Sequence, residues 1–503
     1  MPDYLLGIDN GGTVAKAGLF DLQGRELATA GRKTPMNSPA PGQTERDAEA
    51  LWQATAEAVR EVIERAGVDA GEIACVATAG HGNGLYLVDA AGEAVRPGIV
   101  STDTRAAEYV ARWNAQGIAD AVRPKTMQAL WPGQPNALLA WLQDHEPEVL
   151  QRAAWALMCK DFIRAKLTGE FYFELTDASG TSLMDVAAGQ YDSELLAAYG
   201  IAEQARLLPP LKRSEAVCGR VTEQAAEQTG LRAGTPVAGG LFDVDACGLA
   251  AGIVDQRQLQ IIAGTWSVNQ YVSPTPVVDP GVFMTSRYCV PDYFLIMEAS
   301  ATSASNLEWL VSNMLGPEAA ALEARGESIF DVCNREVDGV KPDETNIVFL
   351  PFLFGSNADP AAKACLLGLG GWHTRGHVLR AVYEGVVMGH RRHVDRLLQF
   401  RDRPEAIRLA GGAARSPQWC QVFADVFQLP VEIPAGSELG ALGSAILAGV
   451  AAGCFADYAS AVEAMVRIVD TRTPRPEYAA VYEAKYARYK EALTALAPLW
   501  GTL

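Results

Sequence analysis

The stretch YLLGIDNGGTVAKAGLFD, residues 4–21, sets the pattern from which the fold of this chain is read. Residues 4–9 are mostly apolar and predict a β-strand, and from Val14 to Leu19 the side chains alternate at the period of a second strand. An Asn-Gly pair between two such runs is typical of a tight hairpin turn. The sequence therefore predicts that residues 10–13 turn the chain back between two antiparallel strands.

The same turn has a composition that suits phosphate binding. Gly11 and Gly12 tolerate unusual torsions and a close approach, so backbone N–H groups can converge on one anion. Asp9 is placed to hold water around Mg²⁺, and Thr13 and Lys16 are placed to reach phosphate oxygens. The alternative is a hairpin without a ligand. The GxxxxGK[ST] string of a P-loop occurs nowhere in the chain, so a phosphate site here is of another kind.

A second turn of this kind follows later in the chain. An apolar run over residues 259–263 is interrupted by Gly264-Thr265, after which the side chains alternate again like a strand. Residues 257–273 thus repeat the strand–turn–strand unit of residues 4–20. Two phosphate turns facing each other across a cleft would form a clamp, and the repeat favours a binding role over a plain hairpin.

The composition is typical of a globular protein with more than one domain. The 503 residues exceed what one hydrophobic core organises, and 49% of them are hydrophobic. The formal net charge of −18 argues against a nucleic-acid or anionic-membrane partner. Nine cysteines lie scattered without CxxC or metal-ligand spacing, and no apolar run reaches the roughly 18 residues of a membrane helix. We therefore expect a soluble cytoplasmic protein.

The order of the expected elements indicates a mixed α/β fold. Three strands in the first thirty or so residues precede a helix that starts near Asp47, a short strand at 73–78 and further helices. A polar break after a Gly/Ala-rich helix places the domain boundary near 247–256. The expected domains are residues 1–250 and 251–503.

The chain resembles the FGGY carbohydrate kinases in three features, which occur in this order: DNGGTxxK, the Gly264-Thr265 turn and the Gly411-Gly412 strand end. These kinases belong to the actin- and hexokinase-like ATPases. The stretch GGAARSPQWCQVFADVFQLPV, residues 411–431, is similar to the C-terminal signature of that family. Four further stretches look like the family's branch of bacterial L-xylulose and 3-keto-L-gulonate kinases: GHGNGLYLVD, WPGQPNALLAWLQDHEPE, GGLFDV and LPFLFGSN. The resemblance covers nearly the whole chain.

The resemblance implies fold, activity and partners together. The expected fold is α/β, with two actin-like, ribonuclease-H-type lobes of mixed sheets flanked by helices and a cleft between them. The first lobe would bind a small sugar, the second would bind ATP with Mg²⁺, and the protein would form a homodimer. The substrate would be a ketopentose or a keto sugar acid, and D-xylulose, L-ribulose or a polyol are alternatives.

The segment GGLFDVD, residues 239–245, carries two candidate catalytic carboxylates. Phosphoryl transfer to an alcohol needs one carboxylate within hydrogen-bond reach of the attacking hydroxyl. Spacing alone does not choose between Asp243 and Asp245, and Asp is also a preferred helix N-cap residue. The resemblance implies that Asp243 is the catalytic base, in contact with substrate and near the metal, and that Asp245 is structural.

Three loops carry polar side chains that suit a small polyol. Thr44 to Asp47 predicts a capping segment, which leaves Glu45 without a structural explanation. The resemblance assigns four residues to the sugar: Glu45, His81, Asn83 and Asp103. The alternatives are a structural histidine at 81 and a helix cap at 103. Arg105 or His81 would supply the cation if the substrate carried a carboxylate.

The segment GGAARS, residues 411–416, follows a strand and opens a helix, so its N–H groups suit an anion or a ribose and base. The resemblance assigns four of its residues to ATP: Gly411, Gly412, Ala413 and Ser416. Gly440 and Gly443 predict close helix packing. Gly355-Ser356-Asn357 stands where many relatives have Gly-Glu-Arg, so no role of that Glu or Arg is carried over.

A nucleotide-gated binding protein of the same superfamily is the rival from another class. A sugar-sensing repressor would carry a basic helix-turn-helix before the first strand, and that strand begins at residue 4. A chaperone-like ATPase would carry a long peptide-binding domain, and only a short segment follows Ala452. The sequence favours the kinase.

Overall fold

The computed structural model describes residues 3–356, 358–359 and 361–502. Asn357, the last residue of the LPFLFGSN stretch, lies outside these ranges. The chain forms two compact units, each built from three segments. The first consists of Met1–Val254, Val272–Ile296 and Gly436–Val466, and the second of Asp255–Tyr271, Met297–Ala435 and Arg467–Leu503. Among the described residues, the search for a helix long and apolar enough to cross a membrane found none.

The main sheet of the first unit mixes parallel and antiparallel pairs. Its strands lie in the order Val217–Arg220, Pro236–Ala238, Ile73–Gly80, Tyr4–Asn10, Val14–Asp21 and Glu26–Lys33, and Leu241–Phe242 also pairs with Ile73–Gly80. Tyr4–Asn10 and Val14–Asp21 pair antiparallel, which confirms the hairpin predicted around DNGGT. Tyr4–Asn10 and Ile73–Gly80 pair in parallel.

Helices cover this sheet, and the first of them begins where the sequence predicts. Asp47 caps helix Ala48–Ala66 by accepting a hydrogen bond from the Ala50 N–H at 2.8 Å, and Gly67 ends it in the left-handed conformation. The other α-helices of six residues or more in this unit are Ala107–Ala115, Ile118–Thr126, Pro135–His145, Pro147–Arg152, Cys159–Thr168, Ser193–Ala198, Glu223–Thr229, Asp243–Ala250, Leu439–Ala451 and Tyr458–Met465.

Helix Leu439–Ala451 packs closely against the first strand, although more than four hundred residues separate them in the chain. A Cβ at Gly7 would lie 1.9 Å from the carbonyl oxygen of Ala441, and a Cβ at Gly443 would lie 1.9 Å from that of Ala246. Only glycine permits contacts this short. The close packing predicted from the small residues of this helix is confirmed.

The second unit has a mixed sheet of its own. Five consecutive strands of this sheet lie in the order Ser267–Ser273, Gln258–Ala263, Ala406–Ala410, Val431–Pro434 and Ile468–Arg472. The longer helices of this unit are Ser305–Met314, Gly316–Glu323, Ile329–Asp338, Arg375–Leu397, Pro417–Phe427 and Ala479–Leu496. Each unit is therefore a mixed sheet flanked by helices, as the predicted α/β class requires.

Candidate active site

Three loops of the first unit begin at the same edge of its sheet. The strands that end at Asn10, Gly80 and Phe242 run parallel, and Asn10 and Phe242 both lie opposite Gly80 in the register. The backbone N–H of His81 donates to the carbonyl of Asn10 at 3.0 Å. Because the carboxyl ends of parallel strands meet at one sheet edge, DNGGT, GHGNG and the residues from Asp243 onward come together there.

The loop GHGNG lies directly against the segment that carries Asp243. A Cβ at Gly82 would lie 2.3 Å from the ring of Phe242, so only glycine permits this approach. His81 is 6% exposed, and Asn83 is equally buried with φ at 61°. Burial and the positive charge of Arg46 lower the pKa of His81 to about 4, so its ring is neutral at neutral pH.

Asp243 and Asp245 differ in their surroundings. Helix Asp243–Ala250 begins at Asp243 itself, and Phe242 occupies the N-cap position without a side-chain cap. Asp243 is half-buried, and desolvation together with the negative charge of Asp9 raises its pKa to about 7. Asp245 is fully buried and accepts a hydrogen bond from the Cys289 N–H at 3.2 Å. Asp245 thus has a structural partner, and Asp243 keeps access to solvent.

The carboxylate of Asp9 lies near a lysine and beside a helix start. Asp9 is directly opposite Lys16 in the hairpin register, and Lys16 Nζ pairs with Glu438 Oε2 at 2.6 Å. Burial raises the pKa of Asp9, while the charge of Lys16 opposes that shift. The buried Oδ1 of Asp9 has no hydrogen-bond partner within the described ranges. A Cβ at Gly440 would lie 2.3 Å from Oδ2 of Asp9.

The DNGGT turn itself is accessible to solvent. Gly12 and Thr13 are exposed, and a Cβ at Gly12 would meet nothing within 4 Å. The Gly11 N–H donates to the Val14 carbonyl at 3.1 Å, which closes the turn. The turn therefore presents exposed backbone at the same edge as Asp243.

Glu45 and Asp103, which are also predicted to contact the sugar, form ion pairs with arginines. Glu45 pairs with Arg96 and, at 2.7 Å, with Arg105. Asp103 pairs with Arg105 at 2.8 Å and accepts the Thr44 N–H at 2.6 Å. The expectation that Glu45 has no structural explanation is wrong, because two arginines hold it. Whether Glu45 and Asp103 also contact a sugar stays a prediction.

In the second unit, the Gly264-Thr265 turn lies beside the Gly411 turn. The strands before and after Gly264 pair antiparallel, which confirms the second hairpin. A Cβ at Gly411, where φ is +87°, would lie 2.6 Å from the carbonyl of Ala263. Ser305 Oγ donates to the Thr265 carbonyl at 3.1 Å. The two glycine-rich turns are thus adjacent.

A cavity of about 330 Å³ opens next to the Gly411 turn, and its lining includes Gly412 and Ser416. Tyr383 and Trp419 also line it, and their rings stack with centroids 4.4 Å apart. Ser416 caps helix Pro417–Phe427 through the Trp419 N–H at 3.1 Å and donates to Asn334 Oδ1 at 2.6 Å. Ala413 is fully buried. A cavity of this size with aromatic and polar lining suits a nucleoside.

Comparison with known proteins identifies the chain. Residues 4–250 match the N-terminal domain of the FGGY family of carbohydrate kinases, and residues 259–452 match the C-terminal domain of that family. The chain belongs to the FGGY family of carbohydrate kinases. It therefore acts as a sugar kinase, which transfers a phosphoryl group from ATP to a sugar hydroxyl, as the resemblance implied.

Relatives of this FGGY kinase match it over almost their whole length. A probable L-xylulose kinase of Pasteurella multocida is 37% identical over 98% of this chain and 99% of its own. The L-xylulose/3-keto-L-gulonate kinase of Escherichia coli is 37% identical over 99% and 98%. The crystal structure of xylulose kinase from Rhodospirillum rubrum superposes with a TM-score of 0.87 and 30% identity, covering 99% of this chain and 100% of that one.

The site of this FGGY kinase contains a buried charge cluster that the sequence analysis missed. The Lys160 ammonium, fully buried, lies 3.0 Å from Asp161 and 3.4 Å from both Glu174 and Asp177. Buried charges are stable only when they are paired and hydrogen-bonded. The sequence contained one indication of this cluster: charged residues interrupt the otherwise apolar face of the helix CKDFIRAKLT, residues 159–168.

This cluster supports the segment that leads to Asp243. Arg164, which pairs with Asp161, donates to the Gly239 carbonyl at 2.6 Å, and the Thr176 hydroxyl accepts the Phe242 N–H at 3.0 Å. Both contacts fix the backbone just before Asp243. The buried charges therefore help to hold the backbone of this segment in place.

The residues near Asp9 fit a magnesium ion of the kind a kinase uses. The described ranges contain no group of three or more His, Cys, Asp or Glu that could hold a metal ion by itself. Mg²⁺ commonly binds through one or two carboxylates, substrate phosphates and several waters. The unpartnered Oδ1 of Asp9 suits a water-mediated contact of this type.

Proposed function

We propose that this kinase phosphorylates a hydroxyl of a ketopentose or a keto sugar acid, of the L-xylulose or 3-keto-L-gulonate type. The observation that carries the proposal is the convergence of Asp9, His81 and Asp243 at one sheet edge. The names of the two relatives at 37% identity supply the substrate class. The alternatives are D-xylulose, L-ribulose and polyols.

In the proposed mechanism, Asp243 is the catalytic base. A carboxyl group whose pKa lies near neutrality accepts a proton efficiently at physiological pH, and the pKa of Asp243 is raised to about 7. Asp243 accepts the proton of the attacking hydroxyl while the sugar is held by Glu45, His81, Asn83 and Asp103. Nδ1 of the neutral His81 ring donates to the Gly82 carbonyl at 3.4 Å, which leaves the buried Nε2 as an acceptor for a sugar hydroxyl.

ATP binding is proposed for residues of both units. In the first unit, Gly11, Gly12, Thr13 and Lys16 bind phosphate oxygens, and Asp9 binds Mg²⁺ through water. When bound, Mg²⁺ neutralises charge on the transferring phosphoryl group. In the second unit, ATP is assigned to the two adjacent turns and the cavity beside them: Gly264, Thr265, Gly411, Gly412, Ala413 and Ser416. Residues 1–250 are thus proposed as the sugar-binding domain and residues 251–503 as the ATP-binding domain.

We also propose a cytoplasmic location and a homodimer. None of the nine cysteines forms a disulfide, which supports a reducing compartment such as the cytoplasm. A homodimer is proposed from the family resemblance, and light scattering of the purified protein measures it.

A sugar panel tests the proposed function. ADP release is measured with L-xylulose, 3-keto-L-gulonate, D-xylulose, L-ribulose and polyols, and a thermal-shift series with a non-hydrolysable ATP analogue ranks their binding. The expected result is the highest kcat/KM with one of the first two. Faster turnover of D-xylulose would favour the alternative, and no sugar-stimulated ADP release with any of them would refute the proposal.

A further inference from the structure

Arg46 lies directly against the backbone of the DNGGT turn. It follows Glu45 on a two-residue strand, which pairs with Gly98–Ile99, and is 1% exposed. Its Nη2 donates to the carbonyl of Gly12, and its Nη1 donates to that of Gly11 at 3.5 Å. One guanidinium therefore holds two consecutive peptide groups of the turn.

Arg46 has no carboxylate partner among the residues that the structure describes. Across residues 3–356, 358–359 and 361–502, no ion pair joins Arg46 to a carboxylate, and its buried Nε has no hydrogen-bond partner. The buried Arg105 and Arg164, by contrast, each pair with a carboxylate. A buried cation without an anion destabilises the fold unless a ligand supplies the opposite charge. The field of Arg46 also reaches the site, because its charge helps to lower the pKa of His81.

The two carbonyl contacts fix the direction of the neighbouring N–H groups. In a trans peptide, the N–H points opposite to the carbonyl of the preceding residue. Since the carbonyls of Gly11 and Gly12 point toward Arg46, the N–H groups of Gly12 and Thr13 point away from it. Gly12 and Thr13 are the exposed residues of the turn.

We infer that Arg46 is a positioning residue for phosphoryl transfer: it aims the Gly12 and Thr13 N–H groups at a phosphate of ATP and places a fixed positive charge behind them. The inference rests on the proposed role of the turn. Donors that are oriented before the reaction stabilise charge on the phosphoryl group without reorganising during it. The bound phosphate in turn supplies the anion that Arg46 lacks.

Substitutions at two arginines test the inference. Arg46→Lys keeps the charge and loses the double contact, and Arg46→Ala removes both. Arg60 is the matched control, because its guanidinium also donates to two backbone carbonyls of the first unit, those of Glu227 and Gln228. We expect kcat/KM for ATP to fall about tenfold in Arg46→Lys and about a hundredfold in Arg46→Ala, with KM for the sugar within about twofold. Arg60→Ala stays close to the unsubstituted enzyme.

Chemical rescue of the Arg46→Ala variant distinguishes a positioning role of Arg46 from a merely structural one. Millimolar guanidinium ion, far below denaturing concentrations, is expected to restore part of the ATP-dependent rate of Arg46→Ala and none in Arg60→Ala. An unchanged kcat/KM in Arg46→Lys would overturn the inference. Equal loss for ATP and sugar without rescue would also overturn it. If Arg46→Ala does not fold, Arg46→Lys carries the test alone.

Failure of the proposed function is distinguishable from failure of this inference. ATP affinity measured by calorimetry needs no sugar turnover, and Arg46→Lys is expected to bind ATP several-fold more weakly whichever sugar is the substrate. Equal affinity in Arg46→Lys and the unsubstituted protein would contradict the role of Arg46 even if a sugar is phosphorylated.

Discussion

Gly440 lies so close to Asp9 that a Cβ at position 440 would come within 2.3 Å of Oδ2 of Asp9. The glycine therefore does more than permit helix packing, because it leaves space for a carboxylate beside the first turn of helix Leu439–Ala451. The N-terminus of a helix carries a partial positive charge that stabilises an anion. The position of Asp9 thus depends on a residue 431 places later in the chain.

Gly440→Ala is expected to displace the Asp9 carboxylate and impair catalysis. We expect kcat to fall at least about tenfold, since a displacement of roughly 1 Å in a catalytic group has effects of that order or larger. Steady-state kinetics at several Mg²⁺ concentrations measure it. Gly316→Ala is the control, because a Cβ there meets open space. Unchanged kinetics in Gly440→Ala would contradict the prediction.

Asp243→Asn is expected to abolish transfer and leave ATP binding nearly intact. Loss of a general base lowers kcat by about 10² to 10⁴, and affinity for ATP should change only a few-fold. Single-turnover measurements and calorimetry give the two quantities.

Asp245→Asn distinguishes the structural role expected of Asp245 from the catalytic role expected of Asp243. Asp245 is buried and accepts the Cys289 N–H, so its substitution should lower the melting temperature while the folded fraction keeps its kcat. If Asp245→Asn abolishes transfer and Asp243→Asn retains it, the assignment of the base is reversed.

The stability of the protein is expected to fall on acidification because of His81. The folded state holds the pKa of His81 at about 4, below its ordinary value near 6.5, so the unfolded chain takes up a proton that the folded chain does not. This contribution is fully present above pH 6.5 and is lost as the pH falls toward 4, amounting to about 3 kcal/mol in the free energy of unfolding.

Denaturant unfolding at several pH values tests this for the unsubstituted protein and His81→Gln. The substituted protein lacks the titrating group, so its stability should depend less on pH between about 6.5 and 4. Parallel curves for the two proteins would contradict the prediction. His145→Gln, at an exposed site, is the control.

Lys16→Met is expected to weaken ATP binding. The lysine pairs with Glu438 and lies opposite Asp9, so its removal leaves two carboxylates near the phosphate turn without their cation. We expect KM for ATP to rise about tenfold or more, the scale of one charge-assisted hydrogen bond. Lys341→Met, at an exposed position of the second unit, is the control, and an equal effect there would show that net charge alone is responsible.

Much of the fold and part of the site could be predicted from local sequence. Alternation and turn chemistry predicted the strands on both sides of DNGGT and Gly264-Thr265, and a capping segment predicted the start of helix Ala48–Ala66. These signals are short-range, since they depend on residues a few positions apart. The resemblance to one kinase family supplied the candidate residues whose roles remain predictions.

Other features depend on residues that are distant in the chain. Glu45 was expected to lack a structural explanation, and its partner Arg96 comes from a segment some fifty residues away. The cluster around Lys160 supports Asp243 across more than sixty residues, and a pattern read in short windows does not contain such pairs.

The sequence by itself determined the secondary structure around the two turns, the glycines that permit them and the family to which the chain belongs. Only the tertiary structure decided which charges are neutralised: Lys16 by Glu438, Glu45 by two arginines and Arg46 by no carboxylate among the described residues. The physical reason is that hydrogen bonding and periodicity act between near neighbours, whereas charge compensation depends on which distant segments pack together.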